Sequence, residues 1–331
     1  LRGLPIGRAG AHPWSPTRLE RWAACGMRYM FTDVFGLTDR NDPERVLDLD
    51  PLDRGQAVHR ILELFIGEAL GSEAPPPSRR WTDADRDRLL EIAGEVLSDL
   101  EQRGRTGREL NWELTGTMLA EALIAFLSQD DEHRATTGSQ PVSVEYRFGR
   151  EPVPPLVLTL PTGRTVAFSG SADRIDAAVE DPRRVFVSDY KTGKGDKYRA
   201  LAADPVLGGT SLQLGIYAEA ARQMSGATSV TSQYWIVYHE AVHRKQYGYE
   251  WTTARRERFD EVVAAIVEGI DNGTFPAVPG EWSTFRNTHE NCTYCEFDRV
   301  CPRERGEQAA AKATAVELRV RDALAAPGSP S

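Results

Sequence analysis

Residues 185–196 read VFVSDYKTGKGD. An apolar run of strand type ends in Asp189, and Lys191 follows two places on. Alternation with period two sets Val185, Val187, Asp189 and Lys191 on one face. The segment TVAFSGSADRID (165–176) alternates in the same way, and VEDP (179–182) supplies turn residues between the two. Asp173 lies eight residues before Asp181, and Asp189 eight residues after it. A hairpin turning near Asp181 therefore places the two aspartates opposite each other on antiparallel strands, with side chains about 5 Å apart. Opposed carboxylates repel unless a cation lies between them, and a hard divalent ion such as Mg2+ suits oxygen ligands. Lys191 would then orient or deprotonate an attacking water, or stabilise developing charge on a phosphate. An isolated D-x-K is more often an ordinary ion pair at a strand end, so the reading depends on what else converges there.

The 331 residues suffice for one large domain or two modest ones, and 40% hydrophobic with 27% charged residues is an ordinary globular composition. No apolar run is long enough to span a membrane, and no charged-then-apolar leader opens the chain, so no membrane association is expected. Leu1 in place of Met fits a piece of a longer polypeptide. A net charge of −9 excludes a generally basic coat but not a local one. Arg183, Arg184, Lys191, Lys194, Lys197 and Arg199 form such a cluster, readable as a solvated loop or as a phosphate path. Cys25, Cys292, Cys295 and Cys301 come without a secretory signal, which points to metal or cluster ligation rather than disulfides.

SPTRLERWAACGMRYMF (15–31) predicts a helix with Ser15 as N-cap and Pro16 in the first turn. A second helix follows in 53–70, with Val58, Ile61, Leu62, Phe65 and Ala69 on one stripe, and helical patterns resume from about Asp83 to about Ser128. Beyond Pro141 the texture changes. SVEYRF, TVAFSGSADRID and RRVFVSDYK read as strands, LQLGIYAEAARQM as a helix, SQYWIVYHEA and KQYGYEW as strands, and 254–273 as a helix ended by Gly273. The order is that of an α/β core preceded by helices. The expected divisions are 1–52 with the first cysteine, 53–139 helical, 140–284 the core, 285–303 the cysteine segment, and 304–331 a helical then flexible tail.

GQAVH, GSADRID, SDYKTGK and LQLGIY, in this order, resemble the RecB-type branch of the PD-(D/E)xK nuclease superfamily. The resemblance covers about residues 15–303 and implies a restriction-endonuclease-like fold: a mixed central sheet flanked by helices, with an N-terminal helical insertion. It implies that His59, Asp173, Asp189 and the main-chain carbonyl of Tyr190 hold Mg2+ or Mn2+, that Lys191 serves the attacking water, and that Gln213 and Tyr217 complete the catalytic set. Glu145 matches an acidic residue of an early core strand, and Asp176 reads as structural. The implied activity is metal-dependent hydrolysis of DNA, as an exonuclease on single strands or unwound ends. Lys194, Lys197, Tyr198 and Arg199 would hold the strand.

NCTYCEFDRVCP (291–302) is C-x2-C-x5-C followed by proline, with Cys25 far upstream. Zinc sites tend to use two close pairs, whereas three clustered cysteines ending in Cys-Pro fit 4Fe–4S ligation better. The same three-plus-one arrangement resembles that of AddB- and AdnB-type helicase-nucleases and Cas4-like exonucleases. The implied C-terminal staple joins the first helix to the end of the domain. No G-x-x-x-x-G-K-[ST] occurs, since TGKGDK lacks the spacing, so a helicase is expected as a partner subunit or an upstream domain. The resemblance implies DNA repair and recombination in the bacterial cytoplasm at the nucleoid. Alternatives are a Cas4-like role in spacer processing and a non-catalytic scaffold stabilised by iron–sulfur or zinc.

Overall fold

The computed structural model describes residues 12–38, 48–72, 74–238, 246–312 and 314–325. Its centre is a five-stranded sheet in the spatial order β1 (Ser139–Phe148), β4 (Gly170–Ala178), β5 (Arg184–Lys191), β6 (Ser229–Ile236) and β7 (Gln246–Glu250). A small ribbon of β2 (Leu156–Thr159) and β3 (Thr165–Phe168) lies outside it, so the alternating stretch 165–176 is divided at Ser169. The pairs β1–β4, β4–β5 and β6–β7 are antiparallel, and β5–β6 is parallel. This is the mixed sheet that the family resemblance implies. β5 has a neighbour on each side and helices on both faces, which explains its continuous apolar run.

Two helical layers bury the sheet. On one face, α1 (Pro16–Ala24), α6 (Gln213–Ser225) and α7 (Thr253–Asp271) pack Leu19, Trp22, Ile216 and Val263 against Val185, Val187 and Tyr234. On the other, α3 (Pro51–Ser72), α4 (Asp83–Gln102) and α5 (Glu109–Thr137) pack Ile61, Leu62 and Phe126 against Tyr190 and Trp235. Of the expected stripe, Val58, Ile61, Leu62 and Phe65 are buried, whereas Ala69 is half-buried. The helical stretch expected over 83–128 is two helices. Thr82 and Asp85 form a capping box at the start of the first, and Gly138 (φ 64°) ends the second. Among the described residues no helix is long and apolar enough to cross a membrane. The last residues of the strand expected at 232–241, the first of that at 245–251, and the tail APGSPS lie outside the described residues.

The first helix departs from expectation. It starts at Pro16, although the Ser15 side chain makes no capping bond, and it stops at Ala24. Cys25 is extended (φ −162°, ψ 109°), and the chain re-enters a short α2 (Gly26–Tyr29) and a π-helical turn, Met30–Val34. The cause is the C-terminal segment crossing at that point. Met27 N–H donates to Pro276 O (3.1 Å) and Trp22 Nε1 donates to Thr274 O (2.8 Å). A Cβ on Gly26 would stand 2.7–2.8 Å from Phe275 and Pro276, so the crossing requires glycine. After Cys301, α8 (Arg305–Lys312) and a 3-10 stretch, Val316–Leu324, complete the described chain.

Candidate active site

The β4–β5 ladder runs from Ala177–Val185 to Arg174–Ser188 and stops there. One more step in this register would set Asp173 against Asp189, as the turn at Asp181 predicts. At that step the strands part: Tyr190 N–H donates to the Asp173 carboxylate (Oδ2, 2.6 Å) instead of to a backbone carbonyl. From the layer beyond, α3 brings in His59. Its Nδ1 lies 3.2 Å from Asp173 Oδ1, and its Nε2 lies 2.9 Å from the Tyr190 carbonyl. From β1 comes Glu145, in the left-handed region (φ 45°) that a glutamate rarely adopts, with Ser171 Oγ donating to it at 2.8 Å. Ligand atoms of His59, Glu145 and Asp173 all lie within 4.8 Å of one another. The cleft beside them has a volume of about 400 Å³ and is lined by Gly55, Gln56, His59, Arg60, Glu145 and Lys191, among others.

The charges here are tightly coupled. Burial disfavours the charged form of His59, but the Asp173 hydrogen bond and the Asp173 and Asp189 charges outweigh it and raise the imidazole to about 9. Burial, aided by Asp173, raises Asp189 above the usual carboxylate range in spite of Lys191. Burial likewise raises Glu145. Lys191 pairs with Asp189, donates to Gln213 Oε1 (2.8 Å), and is held above its ordinary range because Asp189 outweighs the cost of burial. Two cations of the chain itself, an imidazolium and an ammonium, therefore neutralise the crowded carboxylates.

Gln213 opens α6, and Tyr217 lies one turn on, buried edge-on against Phe148 (6.3 Å between centroids). Burial pushes the Tyr217 hydroxyl well up, against a smaller lowering influence of the neighbouring Gln213 side chain. The motifs therefore meet through Lys191 and Gln213. Glu20, which carries no motif in the sequence, stands behind them. It accepts the backbone N–H of Leu212 (2.7 Å) and of Gln213 (3.2 Å), from a position 192 residues before Leu212.

The basic residues divide. Lys194, Lys197 and Arg199 are exposed just beyond the site, with Arg199 paired to Asp196 at 2.9 Å. Tyr198 is not with them on the surface. It is buried against Tyr234 (4.3 Å between centroids), which corrects its reading as a strand-holding residue. Arg183 and Arg184 lie at the opposite end of β5, about 23 Å from Lys191 at ~3.3 Å per residue, so the expected cluster is two separate groups.

The four cysteines, none in a disulfide, line one pocket with Arg28, Phe31, Phe297 and Arg305. The helix break presents Cys25 to it, and Val278 N–H lies 3.5 Å from its Sγ. Burial raises the Cys292, Cys295 and Cys301 thiols. Arg28 pairs with Glu296 and Arg305 with Asp298, each at 2.7 Å. Arg321 caps the last turn of α1 by donating to Ala23 O (2.8 Å).

A profile of the PD-(D/E)XK nuclease superfamily matches residues 13–302, a span that includes both the cleft and the thiols. Similar proteins include the B subunit of the ATP-dependent helicase/deoxyribonuclease of Moorella thermoacetica, 30% identical over 209 residues (62% of this chain, 17% of the relative). Its counterpart in Acetivibrio thermocellus is 27% identical over 212 residues (62% and 17%), and that of Desulforudis audaxviator 39% over 218 residues (64% and 18%). The chain thus spans less than a fifth of the length of these relatives. With that profile running over most of its length, the chain belongs to the PD-(D/E)XK nuclease superfamily.

Proposed function

We propose that the chain is a Mg2+- or Mn2+-dependent deoxyribonuclease that digests single-stranded or unwound DNA ends as an exonuclease. We propose further that it works with a helicase in DNA repair and recombination, in the bacterial cytoplasm at the nucleoid. The observation that carries the reading is the meeting of His59, Glu145 and Asp173 beside the Asp189–Lys191 pair, at the mouth of a cleft. The helicase is inferred from the relatives' names alone.

The donor set fits a hard divalent ion: carboxylate oxygens, one imidazole and a carbonyl, with His59 now bridging Asp173 and Tyr190 O as a displaceable cation. His59, Asp173, Asp189 and the Tyr190 carbonyl would hold it, with Glu145 beside them. When bound, such an ion polarises a phosphoryl oxygen and acidifies an attacking water. Lys191, with Asp189 favouring its ammonium form, supplies fixed positive charge for a phosphate, and Gln213 fixes its direction. This supports a charge-stabilising role over that of a base.

The four thiols line one pocket, an arrangement that supports a single shared metal centre. A 4Fe–4S cluster on Cys25, Cys292, Cys295 and Cys301 would close a loop containing nearly the whole domain and tie the end of α1 to the C-terminal segment. Its absorbance and iron content distinguish it from zinc.

The test is digestion of end-labelled single- and double-stranded DNA, with and without Mn2+. Wild type is expected to shorten single strands only with the metal, and Asp189→Ala is expected to lose cleavage while remaining folded. Full activity in Asp189→Ala, or none in wild type with either ion, overturns the proposal.

A further inference from the structure

We propose that Glu20 is a positioning residue for Lys191, acting through the first turn of α6; this rests on the nuclease reading above. The N-terminus of α6 lacks a cap of its own. Leu212 holds the N-cap position, and its apolar side chain cannot accept a hydrogen bond. The N–H groups of Leu212 and Gln213 would otherwise be left without acceptors in a partly buried place. Glu20 Oε1, reaching across from α1, accepts both, at 2.7 and 3.2 Å. A carboxylate there also complements the positive end of the α6 dipole.

What makes this more than a tether is the identity of the residue held. Gln213, fixed by its backbone to Glu20, accepts the Lys191 ammonium on its side-chain oxygen at 2.8 Å. The other partners of Lys191 are the Asp189 carboxylate and the Tyr234 ring, 5.0 Å from Nζ to centroid. Without Glu20 the first turn of α6 is free to fray, Gln213 withdraws, and the Lys191 amine loses the acceptor that fixes its direction. Lys191 therefore depends on a carboxylate that has no need to touch DNA or metal.

The experiment compares the full chain with Glu20→Ala, Glu20→Asp (charge kept, reach shortened) and Glu20→Gln (an oxygen acceptor kept, charge removed). Two readouts are taken. In Mn2+-supported digestion of an end-labelled single strand, Glu20→Ala is expected to lower kcat about 10- to 100-fold, the scale of a small misplacement of a reacting group. KM should stay within about twofold of wild type, as for a group acting in the transition state. Glu20→Asp should fall between the two, and Glu20→Gln should recover most of the turnover. The second readout needs no cleavage: the acylation rate of the Lys191 amine by an N-hydroxysuccinimide ester, followed by peptide mass spectrometry. It should rise several-fold in Glu20→Ala and stay near wild type in Glu20→Gln. Unchanged Lys191 acylation in Glu20→Ala and Glu20→Asp overturns the proposal, as does a loss of kcat that Glu20→Gln fails to recover. If wild type does not cut DNA, the nuclease reading fails and the acylation rates alone decide the role of Glu20. If Glu20→Ala does not fold, the Asp and Gln variants carry the same comparison.

Discussion

Asp173 and Asp176 lie three residues apart on β4 and so face opposite sides of the sheet. Asp176 takes the Arg174 guanidinium on both oxygens, at 2.7–3.0 Å. Arg174 also pairs with Asp130, which binds Arg134 (2.8 Å) and Trp81 Nε1 (2.6 Å). Arg134 in turn reaches the carbonyls of Pro76 and Arg79, at 2.7 and 2.8 Å. Asp130, Arg134, Arg174 and Asp176 are all at 0% exposure. Asp173 instead stands beside His59 and Glu145, which line a cleft, and the cations near it are His59 and Lys191, groups that can move or lose a proton. Arginine cannot be discharged in a protein, so a network built on it is closed. Carboxylates crowded around a histidine and a lysine leave room for a guest of the same charge. The histidines follow the same division: burial lowers His133 beside the closed network, while the carboxylates raise His59.

The largest effects should separate the two sides. Arg174→Met leaves Asp130 and Asp176 buried without their shared partner, a change expected to cost about 3–5 kcal/mol. Urea unfolding would read it. Asp173→Asn keeps an oxygen for Tyr190 N–H and should shift stability by less than about 1.5 kcal/mol, the scale of one hydrogen bond. Its nuclease turnover should nevertheless fall by about 10²- to 10³-fold or more. A nuclease-active Asp173→Asn, or an Arg174→Met protein as stable as wild type, would erase the distinction.

A smaller effect comes from His133, which faces Asp176, Arg174, Asp130 and Arg134. Its folded value lies below 6.5, so as pH falls the unfolded chain takes the proton first. The stability it supports is therefore present above about pH 6.5 and is lost below it, by at most ~1.4 kcal/mol per pH unit. Urea midpoints at pH 7 and pH 5 should show a smaller difference in His133→Phe than in wild type. An identical difference would place the titration elsewhere.

How much of this is legible in the sequence follows from the range of each interaction. The β4–β5 register is readable because it depends only on counting from a turn: a pivot at Asp181 fixes Asp173 against Asp189, and the observed pairs share that pivot. His59 and Gln213 are visible through their motifs. Glu145 is half-visible, since its strand alternates but its positive φ leaves no mark in the pattern. The break at Cys25 is hidden because the helical periodicity of 15–31 continues through it; the crossing segment that causes it lies some 250 residues away. Glu20 is hidden for the same reason. Tyr198 misleads because an aromatic beside lysines reads alike whether it faces water or, as here, Tyr234.

The smallest expected effect concerns the two ends of β5. Lys194 is exposed three residues beyond Lys191 on the cleft side, whereas Arg184 lies at the far end of the strand, with its guanidinium over Phe186 at 5.1 Å. A phosphate path that begins at the open site should include the first and not the second. Each lysine on such a path contributes about one unit to the slope of log affinity against log salt. Binding of a labelled single strand, measured without divalent metal over a salt series, should therefore weaken a few-fold in Lys194→Ala, with a slope shallower by about one. Arg184→Ala should leave both unchanged. If Arg184→Ala flattens the slope instead, the strand runs along β5 toward the face of the closed network, and the contrast between the two sides of β4 is one of stability alone.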